Sequence, residues 1–144
     1  MTKVLVLNGP NLNRLGSREP EIYGVMTLDE IENGLDELAK EFEISLDCRQ
    51  SNSESELIAW LHEAIDSKCH VILNPAAFTH YSYALRDAVA AVTSSGLKLV
   101  EVHISNPHGR ELFRQNSVIT AVATGVIAGF GQDSYQLALR YLVG

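Results

Sequence analysis

Residues 71–104 read VILNPAAFTHYSYALRDAVAAVTSSGLKLVEVHI. An apolar run from Val71 to Leu73 stops at Asn74-Pro75, a helix-like segment covers about Tyr81 to Ser95, and Gly96 stands where a left-handed helix cap is wanted. A second apolar run then extends from Leu97 to Ile104. Strand, helix and strand in that order suggest a parallel pair with its connecting helix laid against the sheet.

The same rhythm runs outward in both directions. Further strand-length apolar runs lie at Val4 to Leu7, Ile44 to Leu46 and roughly Ile119 to Ile127. Thr27 with Glu30 forms the sequence pattern of a capping box and opens a helix whose apolar face is Leu28, Ile31, Leu35, Leu38 and Phe42. Ser53 with Glu56 repeats the pattern ahead of Leu57, Ile58, Leu61 and Ile65, and a last helix is expected over about Asp133 to Leu142. Five strands in this alternation predict an α/β fold, a flavodoxin-like three-layer sandwich with a five-stranded parallel sheet. Ligands of such sheets settle beyond the carboxyl ends of the strands. The connection from Gly9 to Met26 is long for so small a protein, and an ordered long loop is expected to act as a lid.

With 144 residues, 46% hydrophobic and 20% charged, the chain has the balance of one globular domain. The net charge of -7 and the scatter of Lys and Arg argue against nucleic acid, which needs a basic stripe. A small anion remains compatible, because a few converging cations outweigh the total charge. Cys48 and Cys69 have neither CxxC spacing nor a His/Cys cluster and are expected to be buried and reduced. The apolar run after Met1-Thr2-Lys3 is too short for a secretion signal, and no stretch is long enough to cross a membrane, so a cytoplasmic location is expected.

The segments after the strands hold the candidate chemistry. After the first comes Asn8-Gly9-Pro10-Asn11-Leu12-Asn13-Arg14-Leu15-Gly16-Ser17-Arg18-Glu19-Pro20-Glu21-Ile22-Tyr23-Gly24. It lacks the hydroxyl-rich phosphate cradle of a flavodoxin, the P-loop pattern and GxGxxG, and it offers amides, arginines and a tyrosine. A receiver module would need an acidic pair where Asn8 and Gly9 stand. Read alone, this is a polar loop with Pro and Gly setting its turns. Asn74-Pro75-Ala76-Ala77-Phe78-Thr79-His80 reads alone as a turn leading into a helix. On the fourth strand Glu101 and His103 share a face, so a carboxylate can orient an imidazole, although a buried hydrogen bond would look the same. Arg110 and Arg114, four apart, can share a helical face, and so can ordinary surface charge. His80, His103 and His108 have no recognised metal-ligand spacing, and no metal is expected.

Taken together, Asn8-Gly9-Pro10-Asn11-Leu12, Leu15-Gly16, Arg18-Glu19-Pro20, Tyr23-Gly24, Gln50-Ser51-Asn52, Asn74-Pro75, Thr79-His80, Ala84-Leu85-Arg86-Asp87, Glu101 to Asn106 and Gly125 to Gly131 resemble the type II dehydroquinase family, in register over nearly the whole chain. The resemblance implies a hydro-lyase converting 3-dehydroquinate to 3-dehydroshikimate by anti elimination without metal or cofactor, a reaction shared by the shikimate pathway to aromatic amino acids and by quinate breakdown. It implies Tyr23 as the base on the carbon beside the ketone, with Arg18 as the cation that lets a phenol of ordinary pKa roughly 10 act near neutrality. It further implies Asn11, with an ordered water, at the enolate oxygen, and His103, held by Glu101, as the acid for the leaving hydroxyl. Asn74 and the backbone of Ile104 and Ser105 are implied at the ring carboxylate, and His80 and Arg114 at ring hydroxyls. Asp87 is implied to serve a neighbouring subunit in trimers assembled as dodecamers. The chain departs from the family pattern at Ser53-Glu54-Ser55, where His-Glu-Gly is usual, and at Ala76, where Gly commonly follows Asn-Pro, adding a methyl near the carboxylate pocket.

Overall fold

Side-chain alternation along the strands sorts the interior into two apolar layers, one on each face of a parallel sheet. The computed structural model describes residues 1–17 and 19–144. Its strands are β1 (Lys3–Asn8), β2 (Ser45–Gln50), β3 (His70–Asn74), β4 (Leu99–His103) and β5 (Gly125–Ala128), ordered β2-β1-β3-β4-β5 and all parallel. Helices are α1 (Pro20–Tyr23), α2 (Leu28–Phe42), α3 (Glu54–Ser67), α4 (Tyr83–Ser94) and α5 (Asp133–Val143). Val4, Val6, Ile72, Val100 and Val102 meet α2 and α5 on one face. Leu5, Leu7, Val71, Leu73 and Leu99 meet α3 and α4 on the other. Each fully buried Leu or Val contributes about 1.5–3 kcal/mol relative to exposure, so the central strands are apolar on both faces. The strand order is the doubly wound one expected from the sequence.

The helices begin where the residues dictate. Thr27 accepts from the Glu30 N–H at 3.2 Å and Glu30 returns the favour to the Thr27 N–H at 3.2 Å, completing the capping box of α2. Ser53 accepts from the Glu56 N–H at the start of α3. α4 starts at Tyr83, two residues later than the periodicity indicated, because Ser82 Oγ takes the Leu85 N–H at 3.0 Å and also donates to the Glu54 carboxylate. Gly96, at φ +85°, follows the end of α4 as expected.

The two edge strands differ most from expectation. β2 runs through Ser45–Gln50, beyond the apolar stretch at Ile44 to Leu46, since an edge strand needs less apolar covering. The apolar residues from Ile119 onward do not start a strand: the Ile119 carbonyl accepts from the N–H groups of Val122 and Ala123 in a tight turn, with Ile119 plugging the α3–α4 layer. Pairing with β4 starts only where the Thr124 N–H meets the Leu99 carbonyl at 2.8 Å. Cys48 and Cys69 are unpaired and half-buried, less enclosed than expected. Among the described residues no helix is long and apolar enough to cross a membrane.

The ends of β1 and β3 are joined closely. The Gly9 N–H donates to the Asn74 carbonyl at 2.8 Å, and a Cβ on Gly9 would lie 2.8 Å from the Pro75 carbonyl oxygen. Rigid backbone on both sides leaves nowhere for a methyl to go. Gly9→Ala should therefore destabilise the fold by about 1–3 kcal/mol in urea denaturation, whereas an unchanged midpoint would show that the two strand ends separate freely.

Candidate active site

The ends of β1, β3 and β4 open into one cleft. Asn11 borders it after β1, Asn74, Ala76 and His80 after β3, and His103, Ile104, Ser105, Arg110 and Arg114 after β4, while Tyr23 covers it from the first connection. The cleft is small and open to solvent on one side.

The β4 wall is built around a buried charge. Glu101 has no exposed surface. Its Oε2 accepts from His103 Nε2 at 2.5 Å, Thr79 Oγ1 at 2.6 Å and Ser117 Oγ at 3.3 Å, and its Oε1 accepts from Thr120 Oγ1 at 2.6 Å. Burial alone would raise the carboxyl's pKa, but the bonds from His103, Thr120 and Thr79 outweigh it and hold the group below its ordinary value. With Nε2–H given to the carboxylate, Nδ1 is the remaining ring nitrogen of His103. Glu101 shares a face of β4 with His103, as alternation predicted, and does not itself border the cleft. Thr79 entered the sequence reading only as part of the Thr79-His80 motif, and Ser117 and Thr120 were not singled out, because hydroxyls so far from Glu101 in sequence carry no local pattern.

His80 sits on the same wall. Its Nδ1–H donates to the Asn116 carbonyl at 2.7 Å and its ring meets Phe113 edge-on at 5.5 Å. Burial is the main cause that lowers its pKa, with nearby Arg114 adding to the effect, so the ring is neutral at pH 7 and keeps Nε2 as an acceptor. Arg114 is fixed by Glu111, Nε to Oε2 at 2.8 Å.

The opposite wall consists of backbone and amides. Asn11 adopts φ 70°, and its N–H donates to Asn52 Oδ1 at 2.9 Å. Gln50 Nε2 donates to the Gly9 carbonyl at 3.1 Å, so the Gln50-Ser51-Asn52 motif holds the turn after β1 in place. Asn74 Oδ1 accepts from the Ala76 N–H at 3.1 Å, and Ala76 stands at φ 52°, a left-handed conformation that suits the glycine found there in the family pattern better than alanine. Ala76 itself lines the cleft.

Tyr23 ends α1, with its ring half-buried against the α2–α5 layer. The Arg110 guanidinium carbon lies 5.0 Å from its ring centroid, within cation–π range. Arg110 also donates from Nη1 to Ser105 Oγ at 3.2 Å, and its side chain is only 12% exposed. Sequence reasoning paired Arg110 with Arg114 but gave a role only to Arg114. The two arginines lie in and beside separate 3-10 turns, Pro107–Gly109 and Leu112–Gln115, instead of on one helix, yet both reach the cleft and give an acidic chain a local positive pole. Arg18 lies outside the described residues. Asp87 is not brought into this cleft: it projects from α4, largely exposed, with Arg86 Nη1 3.3 Å away. Among the described residues no three His, Cys, Asp or Glu side chains gather as metal ligands.

The family model described as dehydroquinase class II matches residues 2–143. A 3-dehydroquinate dehydratase of Pelotomaculum thermopropionicum is 55% identical over 138 residues, 96% of this chain and 94% of that one. Its namesake in Bacillus pumilus is 54% identical over 143 residues, 99% and 95% of the two chains. Among solved structures, a type II dehydroquinase from Propionibacterium acnes superposes with a TM-score of 0.95 at 45% identity, covering 99% of this chain and 97% of that one. One from Butyrivibrio crossotus gives 0.96 at 44% identity, covering 99% and 98%.

Glu101 sets a pH dependence with a definite sign. Its folded pKa is lowered, so its stabilising contribution is complete above the unfolded value of about 4.3 and fades as pH falls toward the folded value below it. Denaturant midpoints measured from pH 7 to pH 3 should drop along this limb in the parent. In Glu101→Gln the midpoint should start lower and the drop should be shallower, and parallel curves would remove Glu101 as the titrating group.

Proposed function

The chain belongs to the class II dehydroquinase family, and we propose that it dehydrates 3-dehydroquinate to 3-dehydroshikimate with Tyr23 as base and His103 as acid. The observation that carries this reading is that a phenol from the first connection and a carboxylate-held imidazole from β4 border the same small cleft. Tyr23 takes the proton from the carbon beside the ketone, and the C–H electron pair becomes an enolate. The enolate then expels the tertiary hydroxyl as His103 protonates it, leaving water and a conjugated enone. General acid and general base each contribute on the order of 10²–10⁴-fold to such a reaction.

The remaining residues take binding roles in this proposal. Arg110 supplies positive charge beside Tyr23, Arg18 takes the activating role that the family resemblance implies, and Asn11 with a water holds the enolate oxygen. Asn74 and the backbone of Ile104 and Ser105 receive the ring carboxylate, while His80 and Arg114 take ring hydroxyls. Neutral His80 suits a hydroxyl, since its Nε2 can accept. The segment 9–26 serves as the lid of a single domain, its first half anchored by the buried Leu12 and Leu15 and its second half carrying Tyr23. A cytoplasmic location belongs to the same reading.

Assembly completes it. Asp87 is exposed on α4 four residues after Tyr83, which is 70% exposed, so this end of α4 offers a polar group next to apolar surface to another copy. In the proposed trimer-based dodecamer Asp87 serves a neighbour's cleft. Sedimentation of the purified chain should give a multiple of three protomers, and a monomer at micromolar concentration would remove Asp87 from the site.

The chemistry is tested by the rise in ultraviolet absorbance of the enone when the chelator-treated protein meets 3-dehydroquinate. Tyr23→Phe should cut kcat by roughly 10²–10⁴-fold with the fold intact. Turnover close to the parent's would take Tyr23 out of the mechanism, and a silent parent protein would end the dehydratase reading.

A further inference from the structure

A completely buried tyrosine behind the cleft is absent from the mechanism above. Tyr135 lies on α5 in an apolar layer with Leu35, Ala138 and Leu139. For packing alone a phenylalanine would serve, since a buried hydroxyl costs free energy unless it is bonded. This hydroxyl is bonded twice, to residues far away in sequence. It donates to Asn8 Oδ1 at the end of β1 at 2.6 Å and accepts from Asn74 Nδ2 at the end of β3 at 2.9 Å.

The direction of this chain of bonds is fixed at one end. The Ala76 N–H can only donate, so the Asn74 atom facing it must be the oxygen. Nδ2 of Asn74 then faces the phenol and donates to it, which obliges the phenol to spend its single proton on Asn8. Burial pushes the Tyr135 phenol well above its ordinary pKa, which favours the neutral O–H that the geometry requires as donor to Asn8. Asn8 Nδ2 is left buried without a partner, a cost the protein sustains to keep an acceptor at this position. One N–H of the Asn74 amide is not used by Tyr135, and Asn74 borders the cleft.

We propose that Tyr135 is a positioning residue that clamps the Asn74 amide so that its second N–H is presented to the anionic group of the substrate. Ala76, Asn74, Tyr135 and Asn8 form one directed relay, and the amide cannot turn without breaking it. The substrate named here rests on the dehydratase reading, whereas the clamp itself does not.

The test is a double-mutant cycle on the full chain, with a spectroscopic arm that needs no substrate. Tyr135→Phe should raise KM for 3-dehydroquinate about tenfold while kcat changes by less than about threefold, because ground-state orientation is lost and the proton-transfer groups are untouched. In an Asn74→Ala background the same change should move KM by less than about twofold, since the group being clamped is gone. Equal effects in both backgrounds, or a loss confined to kcat, would overturn the proposal. In the spectroscopic arm, nitrogen-15 NMR should show the Asn74 side-chain amide protons shifting in Tyr135→Phe, and an unchanged pair would overturn the clamp even if the parent proved unable to dehydrate 3-dehydroquinate. Should Tyr135→Phe fold poorly, Asn8→Val keeps the phenol, removes its acceptor and should raise KM in the same direction by a smaller factor. An unchanged KM there would count against the relay equally.

Discussion

A carboxylate with no surface in contact with water, set between two valines in the middle of a parallel sheet, constrains everything around it. Removing such an ion from water costs several kcal/mol, and stripping one partner from a buried pair costs about 3–5 kcal/mol. Glu101 is tolerable because four donors converge on it from three places in the chain: the turn after β3, β4 itself and the turn before β5. Those donors bind the turns to the strand. The Thr79 carbonyl takes the Val118 N–H at 2.7 Å, and Asn116, two residues earlier, takes His80. One buried charge thus aligns an imidazole, fixes the turn carrying a second histidine and closes the β4 side of the cleft.

The two walls of the cleft come from opposite faces of the sheet. Glu101 and His103 have the parity of Leu99, which faces α3 and α4, while Asn8 and Asn74 have the parity of Val6 and Ile72, which face α2 and α5. A ligand placed over the strand ends therefore meets a charged, hydroxyl-supported wall on one side and an amide wall backed by apolar helix on the other. Tyr23, seated against the α2–α5 layer, belongs to the amide side. Tyr23 and His103 therefore border the cleft from opposite sides, and the origin of that arrangement is the pleat of β4 against β1 and β3.

Much of this was legible in the sequence because its causes are local. Thr27 and Glu30 sit three apart, Gly96 follows a helical run, and the alternation of Glu101 and His103 gives their shared face directly. The edges of the sheet were less legible: β2 is half polar, and Ile119 is buried in a turn while reading like a strand. Tyr135 was not singled out in the sequence, because its hydroxyl's partners lie 61 and 127 residues away. Arg110 gave a weak signal, its spacing from Arg114, but the ring it approaches lies on another loop. Substrate, roles and assembly followed from the family resemblance, since no spacing rule in a single chain names a molecule.

The 2.8 Å contact between Gly9 and Asn74 also bears on how such a scaffold can be rebuilt. In a doubly wound sheet the stretch after the first strand has the look of a cassette that can be cut at the strand end. Here the junction is shared property: Gly9 abuts Pro75, and Gln50 and Asn52 grip the following turn from a third strand end. A transplanted lid would have to arrive with its glycine and find those two side chains waiting. Any cut has to fall beyond Leu15, because Leu12 and Leu15 are themselves buried in the α2–α5 layer.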